Sequence, residues 1–440
     1  MVIKSSLLYN LIRQRASYLA RMSGEVPLRL LLAVPFVPII LLTGLSFRFV
    51  GDEGLFHIKA INAFASSWPI PNIADYSSAS TPLPYLLWTI YGKIVGFEIW
   101  KLRILSVVVT YLMVNLFYNL CKQHKLPYPL LSTLILLFFP YVFFHGFTIY
   151  TVSFGLFFGV WALHYYFLDE PNLIQLFKGS LLATLAIYCR QYYLVLPAGM
   201  LFFELWRTNW RSFVPAIRQR FWRLTILSLP IVLVLPLFWL WQGFTPPLHQ
   251  TDHFVHPILQ HLNFMPIFVG FYFLPILFSK NAIKMLRFKK VALLVVAILL
   301  PIYFLFPLVY SEEPNRIAAM TGVIAHTLDI LSQIIGSPGG VAAKLGLWTA
   351  GLLIIFGEII NCPWSVVKSK LFALLATFLI LISLTPYVSE RYYILIIPYL
   401  ILILHRSFRN SRLLYFWLIL QIAISVGFSY WQIVLKSFNI

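Results

Sequence analysis

Apolar residues in this chain come in long runs rather than in alternation with polar ones. The runs extend over roughly 17 to 25 residues, the length of helix that crosses about 30 Å of hydrocarbon. They lie near 29–50, 101–120, 128–147, 149–167, 173–189, 191–206, 221–243, 263–280, 291–310, 343–361, 371–386, 392–405 and 413–435. The pattern predicts an all-α polytopic membrane protein of about 13 transmembrane helices, forming one embedded domain over residues 1–440. The first run is long and lacks a small-residue cleavage site, so it does not read as a cleavable signal peptide. Residues 85–100, "YLLWTIYGKIVGFEIW", are apolar but short and broken by two glycines. They are expected to lie at the interface, because a span here would invert every later loop.

Composition agrees with the pattern. Hydrophobic residues make up 60% of 440, charged residues 11%, and mean hydropathy is +0.84. A soluble domain of this size could not keep such a surface in water. The three cysteines are widely spaced without a CxxC pair, and are expected to be small apolar fillers.

The net charge of +19 would suit nucleic acid, but its distribution points to a membrane instead. With the N-terminus in the cytoplasm, the inner segments collect most of the basic residues, including Arg207, Arg211, Arg218, Arg220 and Arg223. This is the positive-inside bias. Three longer segments, 51–100, 244–262 and 311–342, become outer loops and carry most of the acids. Carboxylates gathered on one face suggest chemistry there. A carrier would more often hold its ionisable groups at mid-membrane between repeated halves, and no internal repeat stands out.

The first outer loop is the most informative. "RFVGDEGLFHIKAI" sets Asp52 and Glu53 side by side at the end of the first run, with His57 one helical turn beyond Glu53. The next residues carry apolar side chains at Leu55, Ile58, Ile61 and Phe64, the spacing of a helix lying on the membrane surface. Prolines 69, 71, 82 and 84 then break the chain.

An acidic pair after the first span, then amphipathic helices and the "TPLPYLL" turn, resembles the GT-C superfamily of membrane glycosyltransferases, which use polyprenyl-phosphate sugars. Within it, "DEGLFHI", "DYSSASTPLPYLL", "LRILSVV", "FFPYVFFHGFTIYTVSFGLFF", "YCRQYYLVL", "LHQTDHFVHPILQHLNFMPIF" and "TPYVSERYYILIIPYLI" are similar to blocks of the dolichyl-phosphate-glucose-dependent α-1,2-glucosyltransferases. The blocks are collinear and cover roughly 50–400. Two departures stand out: Gly54 is inserted between the acidic pair and Phe56–His57, and Tyr192–Tyr193 stand where the family has Thr-Asn.

The resemblance implies an inverting transfer of a hexose, with glucose favoured. The donor would be a polyprenyl or dolichyl phosphate sugar, a co-substrate rather than a cofactor. The acceptor would be a glycan or lipid-linked oligosaccharide on the periplasmic or lumenal face. Asp52 is implied as the base and Glu53 as its orienting partner. His57, Arg190, Gln191, Arg391 and Tyr392 are implied to hold donor sugar and phosphate, with Asp75, Asp252, His253, His256 and Glu390 on the acceptor side. Such chemistry suits these residue types, because a hydroxyl attacking the anomeric carbon needs a carboxylate to take its proton. A lipid phosphate leaves as an anion and needs cations, not an acid. No metal is expected: histidines 249, 253, 256 and 261 share one loop without fixed ligand spacing. A transporter or flippase of a lipid-linked glycan is the alternative reading.

Overall fold

The computed structural model describes residues 26, 28–207, 213–251, 258–278, 299–310, 319–361, 366–404 and 411–435. The chain divides into two units, Met1–Phe47 and Arg48–Ile440.

In the first unit the expected span over 29–50 is only partly helical. Helix α1, Phe36–Thr43, stops where Gly44 and Leu45 both adopt the left-handed region, at φ 54° and 56°. A helix cannot continue through two such residues.

The second unit is mainly helical, in the order α2 (Ile58–Ser66), α3 (Leu83–Val95), α4 (Ile99–Gln123), α5 (Pro129–Leu137), α6 (Pro140–His145), α7 (Val152–Tyr166), α8 (Leu173–Cys189), α9 (Val195–Trp206) and α10 (Phe213–Trp241). Beyond these come α11 (Gln260–Tyr272), α12 (Val323–Asn361), α13 (Val366–Ile382), α14 (Glu390–Tyr393), α15 (Ile397–Leu404) and α16 (Ser411–Tyr430). Among the described residues, four helices are long and apolar enough to cross a membrane, over 99–123, 218–241, 323–359 and 412–433. Their outer faces are apolar too, with Val232, Leu235, Trp239, Ile419 and Val426 all exposed. Such faces are stable only against lipid, and the protein is an integral membrane protein.

Several expected elements are redrawn. The run 128–147 is two helices, because Pro140 cannot donate within a helix and begins α6 after extended Phe139. The segment 311–342, expected as a loop, is helical from Val323 onward. This part of α12 is set off from the rest by a kink at Gly336, φ +80°, just before Pro338. The fold is also not purely α. Three very short strands, β1 (Val309–Tyr310), β2 (Ala319–Thr321) and β3 (Val388–Ser389), form a parallel sheet, with Met320 opposite Val388 and Thr321 opposite Ser389. Helix α3 has 13 residues, about 20 Å, which is too short to span.

Close packing depends on glycine where helices cross. At the α11–α12 contact, a Cβ on Gly270 would run into the Leu347 carbonyl, and one on Gly351 into that of Pro266. Removing both side chains lets the backbones touch, as membrane helix pairs require.

Candidate active site

Two tight structures converge on one cavity. The first is the turn carrying the acidic pair. Gly51 has φ +54°, and a Cβ there would lie 2.8 Å from the Tyr150 hydroxyl, so only glycine fits. The Asp52 N–H donates to Tyr150 Oη at 2.8 Å, and that hydroxyl donates back to the Val50 carbonyl at 3.3 Å. Residues Glu53–His57 then form a π-helical turn, closed by the Ile58 N–H donating to the Glu53 carbonyl. A π turn holds one residue more than an α turn, and Gly54 sits inside it. His57, at the end of this turn, lines the cavity.

The neighbouring carboxylates have different surroundings. Glu53 and Arg103 are fully buried together, with Arg103 Nε donating to Oε1 at 2.9 Å and Nη2 to Oε2 at 2.5 Å. The Ile149 and Val50 N–H groups also donate to Glu53, at 2.8 and 3.3 Å. Glu53 thus has no free face toward the cavity; it locks the turn from behind. Asp52 is one-third exposed and accepts from Arg391 Nη1 at 2.7 Å.

The second structure is the Arg391 turn. Strand β3 holds it beside β2, and Gly322, φ +113°, brings the start of α12 against it. Glu390 is fully buried beneath, accepting from the Tyr272 hydroxyl and the Ile324 N–H. Burial pushes its pKa up to about 8, with those two donors pulling the other way. Expected on the acceptor side, Glu390 does not line the cavity: it is buried beneath the turn, held by the Tyr272 hydroxyl and the Ile324 N–H.

Between the two lies a cavity of about 270 Å³ whose wall includes Asp52, His57, Arg190, Gln191, Arg391 and Tyr392. Six residues singled out from sequence thus come together, Asp52 and Arg391 from 339 positions apart. Arg190 follows the last turn of α8 in an extended conformation, φ −155°, which turns it out of the helix. Its guanidinium lies 5.9 Å from the Tyr192 ring, as Arg391 lies 5.2 Å from that of Tyr392, and the two tyrosines meet edge to face at 5.2 Å. Gln191 Nε2 donates to the Ala79 carbonyl at 2.8 Å and ties this turn to the first loop. His57 Nδ1 bonds the Tyr85 hydroxyl at 2.8 Å, and that hydroxyl bonds Ser78 Oγ at 2.6 Å. Burial lowers the His57 pKa to about 4; Asp52 raises it and Arg190 and Arg391 lower it further, so the ring is neutral at pH 7.

Asp75 lies on the surface outside the cavity, accepting from the Leu248 N–H at 3.3 Å. Asp252, His253 and His256 lie outside the described residues. His261 is buried against the Tyr393 hydroxyl at 2.9 Å, away from the cavity. Among the described residues no three His, Cys, Asp or Glu side chains gather as a metal set.

Some residues left unassigned nevertheless carry a signal in the chain. Arg103 is a lone arginine near the start of an apolar helix, and an ionisable group in such a place normally has a partner. His145, Tyr150 and Thr151 also line the cavity, all from the "HGFTIYT" run quoted above.

No family model matches the chain, and no curated protein does. Two solved structures of ArnT from Cupriavidus metallidurans are similar. That bound to undecaprenyl phosphate is 14% identical with a TM-score of 0.48, the alignment covering 92% of this chain and 64% of that one. This chain therefore spans somewhat less than two thirds of its length. The apo structure is 11% identical with a TM-score of 0.44, covering 92% and 77%.

Proposed function

We propose that this protein is an inverting glycosyltransferase of the GT-C type. It moves a hexose, glucose by preference, from a polyprenyl-phosphate carrier to a glycan or lipid-linked acceptor on the non-cytoplasmic side of the membrane. Above all, Asp52 stands on the wall of the same cavity as two guanidiniums, one of them paired to it. The collinear sequence blocks supply the choice of donor.

In this mechanism the acceptor hydroxyl approaches Asp52, which takes its proton as the oxygen attacks the anomeric carbon. The bond to the lipid phosphate breaks on the opposite face, so the configuration inverts. Arg190 and Arg391 hold the departing phosphate, each able to offer two donors to its oxygens. Arg391 also fixes the direction of Asp52, and the Glu53–Arg103 pair fixes the turn that presents it. Neutral His57 and Gln191 border the sugar.

Membranes carrying the protein are incubated with radiolabelled polyprenyl-phosphate glucose or mannose. Label should pass to a new lipid- or glycan-bound product from one of them. Absence of transfer from either, in protein that binds both, would refute the proposal and leave lipid-glycan transport as the better account.

A further inference from the structure

His145 ends helix α6 and is only 3% exposed, yet it lines the cavity together with Asp52 and both arginines. Its position is fixed. The ring stacks on Tyr150 with centroids 4.1 Å apart and planes 29° from parallel, and Phe144 and Tyr141 flank it at 5.4 and 5.9 Å. Ser153 Oγ donates to its backbone carbonyl at 3.2 Å. Its Nδ1 is buried and has no hydrogen-bond partner in the protein. Buried polar atoms are nearly always paired, so a ring this firmly held with an unpaired nitrogen at a cavity wall awaits a partner from the cavity.

Two other buried nitrogens on this wall are unpaired in the same way, Arg190 Nε and Arg391 Nε. Both belong to cations and can only donate, which suits a phosphate. An imidazole nitrogen can donate or accept according to tautomer, which suits a hydroxyl. His145 faces both sides of the cavity: the Tyr150 ring it stacks on carries the hydroxyl bonded to the Asp52 N–H, and Arg190 and Arg391 are the charged groups nearest its ring. A sugar held between Asp52 and the two guanidiniums would lie along the wall that His145 shares with them.

We infer that His145 is a sugar-recognition residue, its Nδ1 bonding a hydroxyl of the transferred hexose; this rests on the glycosyltransferase reading. His145→Phe keeps a ring to stack on Tyr150 and removes the nitrogen. Purified wild type and variant are titrated with undecaprenyl phosphate and with the same lipid bearing glucose or mannose. Wild type should bind a sugar-bearing lipid more tightly than the bare one. His145→Phe should weaken that sugar-bearing lipid roughly ten-fold, about 1.4 kcal/mol, and leave the bare lipid unchanged. The unchanged arm also reports that the variant is folded. Equal loss for both lipids would make His145 a phosphate or structural residue, and no loss for either would mean that water alone meets Nδ1; each overturns the inference. Wild type that binds neither lipid would overturn the glycosyltransferase reading itself, and with it this role.

Discussion

Asp52 and Glu53 are adjacent in the chain, each is paired to an arginine, and the two pairs have opposite settings. Glu53 and Arg103 are wholly inside the protein, with backbone N–H groups completing the shell of the carboxylate. Asp52 and Arg391 are each about one-third exposed on a cavity wall. A buried ion pair is costly to desolvate and hard to break, so it serves as a fixed point. A pair open to a cavity can exchange one partner for a ligand. Placing the two on consecutive residues lets one carboxylate hold the backbone still while the other remains available for chemistry.

Removing one member of each pair separates these roles. Arg103→Ala strands the Glu53 carboxylate in the interior, at a cost of about 3–5 kcal/mol. Little folded protein should survive detergent extraction and size-exclusion chromatography; a variant that melts like wild type would show that Glu53 is not a fixed point. Arg190→Ala removes a charge-assisted contact of about 1.5–3 kcal/mol. Donor-lipid affinity should fall roughly ten- to a hundred-fold by titration, with the melting temperature held. A lowered melting temperature with unchanged affinity would place Arg190 with the structural group.

The smallest effect concerns pH. Glu390 has its folded pKa raised above the unfolded value, so its contribution to stability is complete below the ordinary glutamate range. It is lost as pH rises through about 8. His57 is the reverse case, contributing fully above the usual histidine value and losing that as pH falls through about 4. Melting temperature should therefore decline from pH 6 to 9, and Glu390→Gln should flatten the decline. An unaltered slope in that variant would assign the pH dependence to other groups.

Run length made the long apolar helices legible in the sequence, and the blocks that resemble the glucosyltransferases pointed to six residues of the cavity wall, but not to His145, Tyr150 or Thr151. The pairing was not legible. Nothing local distinguishes Asp52 from Glu53; their difference is set by Arg103 fifty residues away and by the Ile149 N–H. Glu390 and Arg391 were likewise both expected at the site, Glu390 on the acceptor side and Arg391 at the donor phosphate, yet only Arg391 lines the cavity while Glu390 is buried. Helix α12 was read as beginning in a loop because Gly336, Pro338, Gly339 and Gly340 punctuate its sequence. The break is real, since Gly336 is non-helical at φ +80°, but helix resumes on both sides of it.

The division of labour between the two acids is tested most directly with Asp52→Asn, a near-isosteric change on the cavity wall. Transfer of labelled hexose from the polyprenyl-phosphate donor is measured beside the melting temperature and donor affinity. Loss of a general base should cut transfer by about 10²–10⁴-fold, with melting and donor binding close to wild type. Transfer at the wild-type rate by a folded Asp52→Asn protein would contradict the account.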